Sequence, residues 1–154
     1  MTMTLSTLAA IFAAAAAVQP PPPPKPQPAP PPKTQPPQLI IDTTTTMAGQ
    51  PLVVPEGPLE VVATRIVMSA GATIDTHMHF WARYVYVQSG EVKLTLLDSG
   101  ETETFRAGQM IVEPLGKWHS GAIVSDTVLV AVEQVPPGRC NTVKPPAGDK
   151  ANDC

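Results

Sequence analysis

Two histidines close the stretch Gly71-Ala-Thr-Ile-Asp-Thr-His77-Met-His79, and a third closes Gly108-Gln-Met-Ile-Val-Glu-Pro114-Leu-Gly116-Lys-Trp-His119. Residues two apart on a β-strand point to the same face, so His77 and His79 can bind one ion together. His119, arriving from a distant strand, would complete a three-histidine site with open coordination positions. Imidazole suits several transition metals, so the pattern predicts a divalent ion such as Fe, Mn, Ni or Zn.

The chain from residue 39 onward is predicted to be all-β. Short runs rich in β-branched residues alternate with glycine-containing turns, and none of them has a helical period. Ser89-Gly90 is predicted to form a tight hairpin turn, and Ser125-Asp126 another turn. Many short strands at even spacing favour a sandwich or barrel. The predicted strands are residues 59–68, 83–88, 91–97, 102–106, 109–113, 121–124 and 127–135.

The spacing within both histidine stretches resembles the two motifs of the cupin superfamily, over roughly residues 50 to 136. This resemblance implies a small single-domain protein, a monocupin, folded as a double-stranded β-helix or jelly-roll barrel. It also implies a metal inside the wider end of the barrel, and it implies frequent homodimers. The positions that match the motifs are Gly71, His77, His79, Gly90, Gly108, Pro114, Gly116 and His119.

Two motif positions depart from the family pattern. The glutamate ligand of the first motif falls at Arg83, and the asparagine of the second motif falls at Ile123. The resemblance therefore implies a site of three histidines, His77, His79 and His119, without the usual fourth protein ligand.

Three further residues are predicted to contact a substrate. Arg83 could hold a carboxylate or phosphate through a bidentate contact, or it could form a structural salt bridge. Glu113 is a candidate partner of Arg83, a replacement metal ligand or a general base, and the alternative is an exposed carboxylate at a strand end. Trp118 could shape a pocket wall, or it could pack in the core or at a dimer face.

The first 38 residues differ in composition from the rest. Residues 1–19 contain an apolar run that is short for a membrane span and ends in small residues, which is typical of a signal peptide, although no Lys or Arg precedes it. Residues 20–38 form a predicted polyproline II linker, because 12 of the 20 prolines lie between Pro20 and Pro37. We expect a periplasmic or secreted protein; an uncleaved membrane anchor and a disordered tail are the alternatives.

The remaining segments are a predicted barrel domain at residues 39–138 and a polar C-terminal tail at residues 139–154. Cys140 and Cys154 could pair and close a 15-residue loop, or remain free thiols. The net charge of −3 without a basic cluster argues against nucleic-acid binding. No stable membrane insertion of the barrel is expected.

These features support three hypotheses about function. A three-histidine site with open positions is typical of non-haem dioxygenase-like enzymes that act on a small substrate. An exported module could instead bind a small ligand or a metal without chemistry. A barrel that has lost its metal is the third hypothesis, because a fold does not determine a function.

Overall fold

The computed structural model describes residues 34–145, and all of their regular secondary structure is β. This confirms the all-β prediction. No helix among these residues has the length and hydropathy to span a membrane. The chain divides into two units, residues 1–36 and residues 37–154, and every strand of the described part lies in the second. The strands are β1 (Glu60–Met68), β2 (Thr73–His79), β3 (Arg83–Leu96), β4 (Thr102–Arg106), β5 (Met110–Val112), β6 (His119–Val135) and β7 (Thr142–Val143).

The predicted signal-like segment and most of the proline-rich linker lie outside the described residues, as does Cys154. The export of the protein and the pairing of Cys140 with Cys154 therefore stay predictions.

Two long antiparallel strands, β3 and β6, organise the sheet. Its order is β4-β3-β6-β2-β7, while β1 pairs with β6 and β5 pairs with β3. The first part of β6 pairs with β2, and the second part pairs with β1. Because β6 changes its neighbour along its length, the β2 histidines lie beside the beginning of β6.

The core lies on the inward face of these strands. Alternate residues point inward, which buries the β-branched and leucine positions and leaves their neighbours outside. Fully burying such a side chain stabilises the fold by about 1.5–3 kcal/mol. The core cluster consists of Val85, Val87, Val92, Leu94, Phe105, Ile111, Ile123, Leu129 and Ala131.

The predicted hairpin at Ser89-Gly90 is wrong. Strand β3 continues through Gly90 and pairs with β6 on both sides of it, with Ser89 opposite Val128 and Glu91 opposite Ser125. The predicted turn at Ser125-Asp126 is wrong for the same reason, since β6 is also continuous. Gly90 has a φ of 83° and forms a bulge at which both strands bend together.

A buried hydroxyl holds this bulge. Thr127 Oγ1 accepts a hydrogen bond from the Glu91 amide at 3.0 Å and lies 3.2 Å from the Glu91 carbonyl. A glycine between two β-branched runs fits a hairpin or a bulge equally well, and only the pairing partners distinguish them.

The beginning of the predicted C-terminal tail lies in the sheet. Strand β7 pairs with the end of β2, where Thr142 is opposite His79. The Asn141 side chain accepts a hydrogen bond from the Trp81 amide at 2.8 Å and donates one to the Trp81 carbonyl at 3.0 Å. These contacts join a segment of short, polar sequence to the strand that carries two histidines.

Candidate metal site

The three histidines meet on the inward face where β2 and β6 pair. His77 lies directly opposite His119, and the ring centroids of the three imidazoles are 4.3 to 5.2 Å apart. All three are buried, and His79 and His119 are 0% exposed. The alternation of side chains along β2 explains why His77 and His79 share this face.

Glu113 joins the histidines as a fourth candidate ligand. It follows β5, and its amide donates a hydrogen bond of 2.9 Å to the carbonyl of Arg83 on the neighbouring β3. The potential ligand atoms of His77, His79, Glu113 and His119 all lie within 4.8 Å of one another. A carboxylate therefore lies in the candidate site, where the sequence predicted three histidines and left Glu113 with several roles.

The outer ring nitrogens of two histidines contact backbone carbonyls. His77 Nδ1 is 2.7 Å from the Asp75 oxygen, and His119 Nδ1 is 2.9 Å from the Lys117 oxygen. A carbonyl can only accept, so each Nδ1 carries the proton and each Nε2 keeps its lone pair. Both rings are thus held in the form that a metal requires.

The inner atoms of the cluster fit a metal because three of them lack hydrogen-bond partners in the described part of the chain. His79 Nε2, His119 Nε2 and Glu113 Oε2 are buried without a hydrogen bond among the described residues. His79 Nε2 and Glu113 Oε2 are only 2.8 Å apart, yet their alignment is not that of a hydrogen bond. Buried polar atoms are rarely left unpaired, so these atoms fit an ion that they would share. Three imidazoles and one carboxylate suit iron, manganese, nickel or zinc.

Arg83 binds protein groups that surround it. Its Nε is 3.5 Å from Glu113 Oε2, and its Nη1 is 3.6 Å from Glu133 Oε2. Nη1 also donates a hydrogen bond of 3.0 Å to Thr142 Oγ1. These contacts favour the structural salt bridge over the substrate anchor.

The protonation states of Glu113, His77 and His119 are those that metal binding requires. Burial alone would raise the pKa of Glu113, but the contact with His79 and the charges of His79, Arg83 and His119 lower that pKa to about 2. Burial lowers the pKa of His77 to about 4, and it also lowers the pKa of His119. At neutral pH the carboxylate is therefore ionised while these two imidazoles are neutral.

Two cavities meet at His77 and Arg83. The inner one, of about 130 Å³, is lined by Glu113 and otherwise by apolar side chains of the core face. The outer one, of about 230 Å³, is polar, and Lys144 forms an ion pair of 3.1 Å with Asp75 at its edge. The inner cavity is smaller than the pockets that hold drug-sized ligands, so it suits a small molecule. Its apolar lining consists of Ile66, Met68, Ile74, Val85 and Leu129.

Trp118 lies apart from this cluster. It lines a separate cavity of about 500 Å³ together with Thr76, Leu97 and Lys117. Thr76 is adjacent to His77 on β2 and therefore points to the opposite face. A contact between Trp118 and a substrate stays a prediction without support from the geometry of the four candidate ligands.

Sequence reasoning missed two residues near the site, Glu133 and Thr142. Glu133 lies opposite Arg83 in the register of β3 and β6, and Thr142 lies opposite His79. A continuous run of β-branched residues around Glu133 and a two-residue strand near prolines give no signal of a site. Only the pairing of strands distant in sequence reveals them.

Comparison with protein families gives a match of residues 64–135 to the model described as Cupin domain. A search of curated proteins finds no match. Among solved structures, the polyketide cyclase RemF from Streptomyces resistomycificus is 24% identical, with 60% of this chain and 65% of that chain covered and a TM-score of 0.46. Oxalate decarboxylase from Bacillus subtilis is 20% identical, with coverages of 55% and 24% and a TM-score of 0.46. The DMSP lyase DddQ from Ruegeria pomeroyi is 18% identical, with coverages of 58% and 45% and a TM-score of 0.47.

The chain thus spans less than two thirds of each of these three proteins. At such identities and TM-scores, their activities carry no argument about the chemistry of this site.

Proposed function

We propose that this chain, which matches the cupin domain model over residues 64–135, binds one divalent transition metal through His77, His79, His119 and Glu113. The observation that carries this proposal is the convergence of buried ligand atoms without other partners. Four protein ligands leave coordination positions open for a small molecule in an octahedral or five-coordinate site.

We propose further that the protein is a metal-dependent enzyme, with dioxygenase-like chemistry as the first reaction to test. A bound divalent metal would supply Lewis acidity toward a chelating substrate, and iron would also supply reactivity with dioxygen. The apolar cavity would hold the substrate body and exclude water, since its walls are aliphatic side chains. Arg83 would hold Glu113 in place.

The charges of the site favour an anionic substrate. A dication with Glu113 retains one positive charge, and the charge of Arg83 is balanced by its neighbour Glu133. In a largely apolar cavity such a residual charge attracts a single anionic group. A small monocarboxylate with a second donor atom would match both the charge and the size.

Metal analysis of the purified protein tests the metal proposal. We expect about one equivalent of metal per chain, with strong loss in His77→Ala, His119→Ala and Glu113→Gln. Gln has nearly the shape of Glu but no charge, so it tests the carboxylate with little change in packing. A metal content that is the same in all four proteins would refute the site.

Oxygen uptake by the iron-loaded protein with a panel of small carboxylates tests the enzymatic proposal. We expect turnover that is lost in His77→Ala. Thermal stabilisation by a carboxylate, with neither oxygen uptake nor a product, would instead favour the alternative, an exported module that binds a small ligand or a metal without chemistry.

Export is a second part of the proposal. It is supported by the apolar run in residues 1–19 and the proline-rich linker in residues 20–38. Mass spectrometry of the protein from its native host, after separation of the cell fractions, would identify the mature N-terminus. An intact N-terminus in a soluble cytoplasmic fraction would refute export, and an intact N-terminus in the membrane fraction would indicate an uncleaved anchor.

The third part of the proposal is that the protein forms a homodimer. The outer face of the sheet carries exposed apolar side chains, because Val61 and Val67 on β1 are 64% and 65% exposed, and Tyr84 and Tyr86 on β3 are partly exposed. Exposed apolar patches of this kind often mark interaction surfaces. Light scattering should give twice the chain mass, and a Val61→Glu, Val67→Glu double variant should give the monomer mass. A monomeric wild type would refute this part.

A further inference from the structure

The three histidines differ in what holds their outer nitrogen. For His77 and His119 that partner is a backbone carbonyl, which can only accept a hydrogen bond. For His79 it is the hydroxyl of Thr142, whose Oγ1 is 3.3 Å from Nδ1. A hydroxyl can donate or accept, so by itself it does not decide which ring nitrogen of His79 carries the proton.

Arg83 limits the hydrogen bonds that the Thr142 hydroxyl can form. A guanidinium has donors and no acceptor, so its Nη1 uses one lone pair of Thr142 Oγ1 at 3.0 Å. The second lone pair remains available for a proton on His79 Nδ1. Thr142 is an exposed residue, so its own hydroxyl proton can turn toward water when the oxygen accepts two hydrogen bonds.

We propose that Thr142 is a positioning residue of the metal site, whose hydroxyl accepts the Nδ1 proton of His79 and so directs the Nε2 lone pair toward the ion. This inference rests on the proposed metal site. It adds a residue from β7 that lies outside both histidine stretches and outside the domain match at residues 64–135. Thr142 would act through His79 and Arg83 and would not touch the ion.

The Thr142 hydroxyl can also form a hydrogen bond with His79 in the metal-free protein. His79 Nε2 lies 2.8 Å from Glu113 Oε2, so in the metal-free protein a proton on Nε2 would face the carboxylate. The Thr142 hydroxyl can then turn and donate to Nδ1. When a metal takes the Nε2 position, the proton moves to Nδ1 and the hydroxyl accepts it. No carbonyl could serve both forms.

Zinc affinity of the full-length protein, measured by competition with a chromophoric chelator, tests the role of Thr142. Thr142→Val keeps the branched shape but has no hydroxyl, and Thr142→Ser keeps the hydroxyl. Loss of the partner of a metal-bound histidine typically weakens metal affinity by about 10- to 100-fold. We expect that loss in Thr142→Val and affinity close to wild type in Thr142→Ser. Thr102→Val, which removes an exposed strand hydroxyl bonded to Thr95, is the matched control and should bind zinc like wild type.

A second measurement does not depend on affinity. Nitrogen-15 spectra of the histidine rings report which ring nitrogen carries the proton. We expect the His79 proton to move from Nε2 to Nδ1 when zinc is added to the wild type, while His77 and His119 keep theirs on Nδ1. Equal zinc affinities of wild type and Thr142→Val, or equal losses in the Ser and Val variants, would overturn the inference and leave the metal site standing. Absence of zinc binding in the wild type would instead overturn the metal site itself.

Discussion

Glu113 reaches the histidines from the segment that follows β5, which pairs with the strand where the family places its glutamate. At the position where the motif resemblance implies a glutamate this chain has Arg83, whose carbonyl accepts a hydrogen bond of 2.9 Å from the Glu113 amide. Side chains on two paired segments lie close together, so a carboxylate at either position can reach the candidate site. Glu113 thus supplies a carboxylate to the candidate site from a different part of the sequence, and Arg83 lies between Glu113 and Glu133.

Exchange of these two residues tests this interpretation. We expect the single variant Glu113→Arg to lose metal, because it places a second cation beside the site, and Arg83→Glu to retain metal, because an added carboxylate attracts a cation. The double variant Arg83→Glu, Glu113→Arg restores one carboxylate and one cation and should recover a large part of the metal content. Metal analysis of the four proteins decides this. A double variant that binds no more metal than Glu113→Arg would contradict it.

Removal of Arg83 should also destabilise the fold. Arg83→Gln leaves Glu113 and Glu133 without their common cation, and breaking a buried ion pair costs about 3–5 kcal/mol. Urea unfolding of the metal-free protein measures this cost. Arg106→Gln is the control, because its ion pair with Glu91 is largely exposed and should be worth less than about 1 kcal/mol. Equal losses in the two variants would show that Arg83 has no special role.

The lowered pKa values make the metal-free domain sensitive to acid. The pKa of His77 is about 4 in the folded domain against an ordinary value of 6.5, so between these values the unfolded chain binds a proton that the folded domain does not. Stability is therefore complete above pH 6.5 and falls as the pH drops toward 4. Glu113, with its pKa lowered from 4.5 to about 2, adds a fall in the same direction at lower pH.

Each such group contributes a slope of up to about 1.4 kcal/mol per pH unit over its own range. Urea unfolding of the metal-free protein as a function of pH should show this slope, and His77→Gln should reduce it between the two His77 values while the contribution of His119 remains. A free energy of unfolding that is independent of pH across that range would contradict the assignment.

The bulge at Gly90 in β3 predicts a large loss of stability when a side chain is introduced there. A Cβ on Gly90 would lie 2.3 Å from the Asp126 oxygen and 2.7 Å from the Thr127 Cα, and the φ of 83° is itself unfavourable for alanine. Gly100 has a similar φ of 73°, but a Cβ there would have no atom within 4 Å. We expect Gly100→Ala to cost about 1–2 kcal/mol through its backbone alone, and Gly90→Ala to cost clearly more. Equal losses in urea unfolding would show that the bend of β3 and β6 adjusts freely.

The strands show which parts of the secondary structure can be predicted from the sequence. Alternation and β-branched residues predict the strands at residues 59–68 and 102–106, because each is a short element with its own local pattern. The long strands β3 and β6 are broken in the prediction at Gly90 and Ser125, since a local pattern contains no information about the partner strand. Strand β7 is missed because two residues have no periodicity, and they are held by β2, more than sixty residues away.

At the scale of the whole molecule, the ion should contribute to stability by mass action. An ion that binds only the folded domain, at a hundredfold excess over its Kd, stabilises it by about 2.7 kcal/mol. In a domain of this size that corresponds to a rise in Tm on the order of 10 °C. Thermal unfolding with zinc and with a chelator should differ by this amount in the wild type and by little in His119→Ala. An identical response to zinc in both proteins would place the ion elsewhere.

The sequence predicts the histidine part of the candidate site well, because two motifs with defined spacing carry it. It leaves Glu113 with several roles and does not reveal Thr142 or Glu133. Those residues come together only when β3, β5, β6 and β7 are assembled into one sheet. The histidine ligands can therefore be predicted from the sequence, whereas the charged and hydroxyl groups that surround them are identified only from the fold.

The position of Asn141 and Thr142 near the C-terminal side of the barrel has a consequence for biosynthesis. A ribosome releases His77, His79 and His119 before it releases the residues that tie β7 to β2. A chain that ended before residue 142 would therefore keep the three imidazoles but lack the hydroxyl that we propose to orient His79.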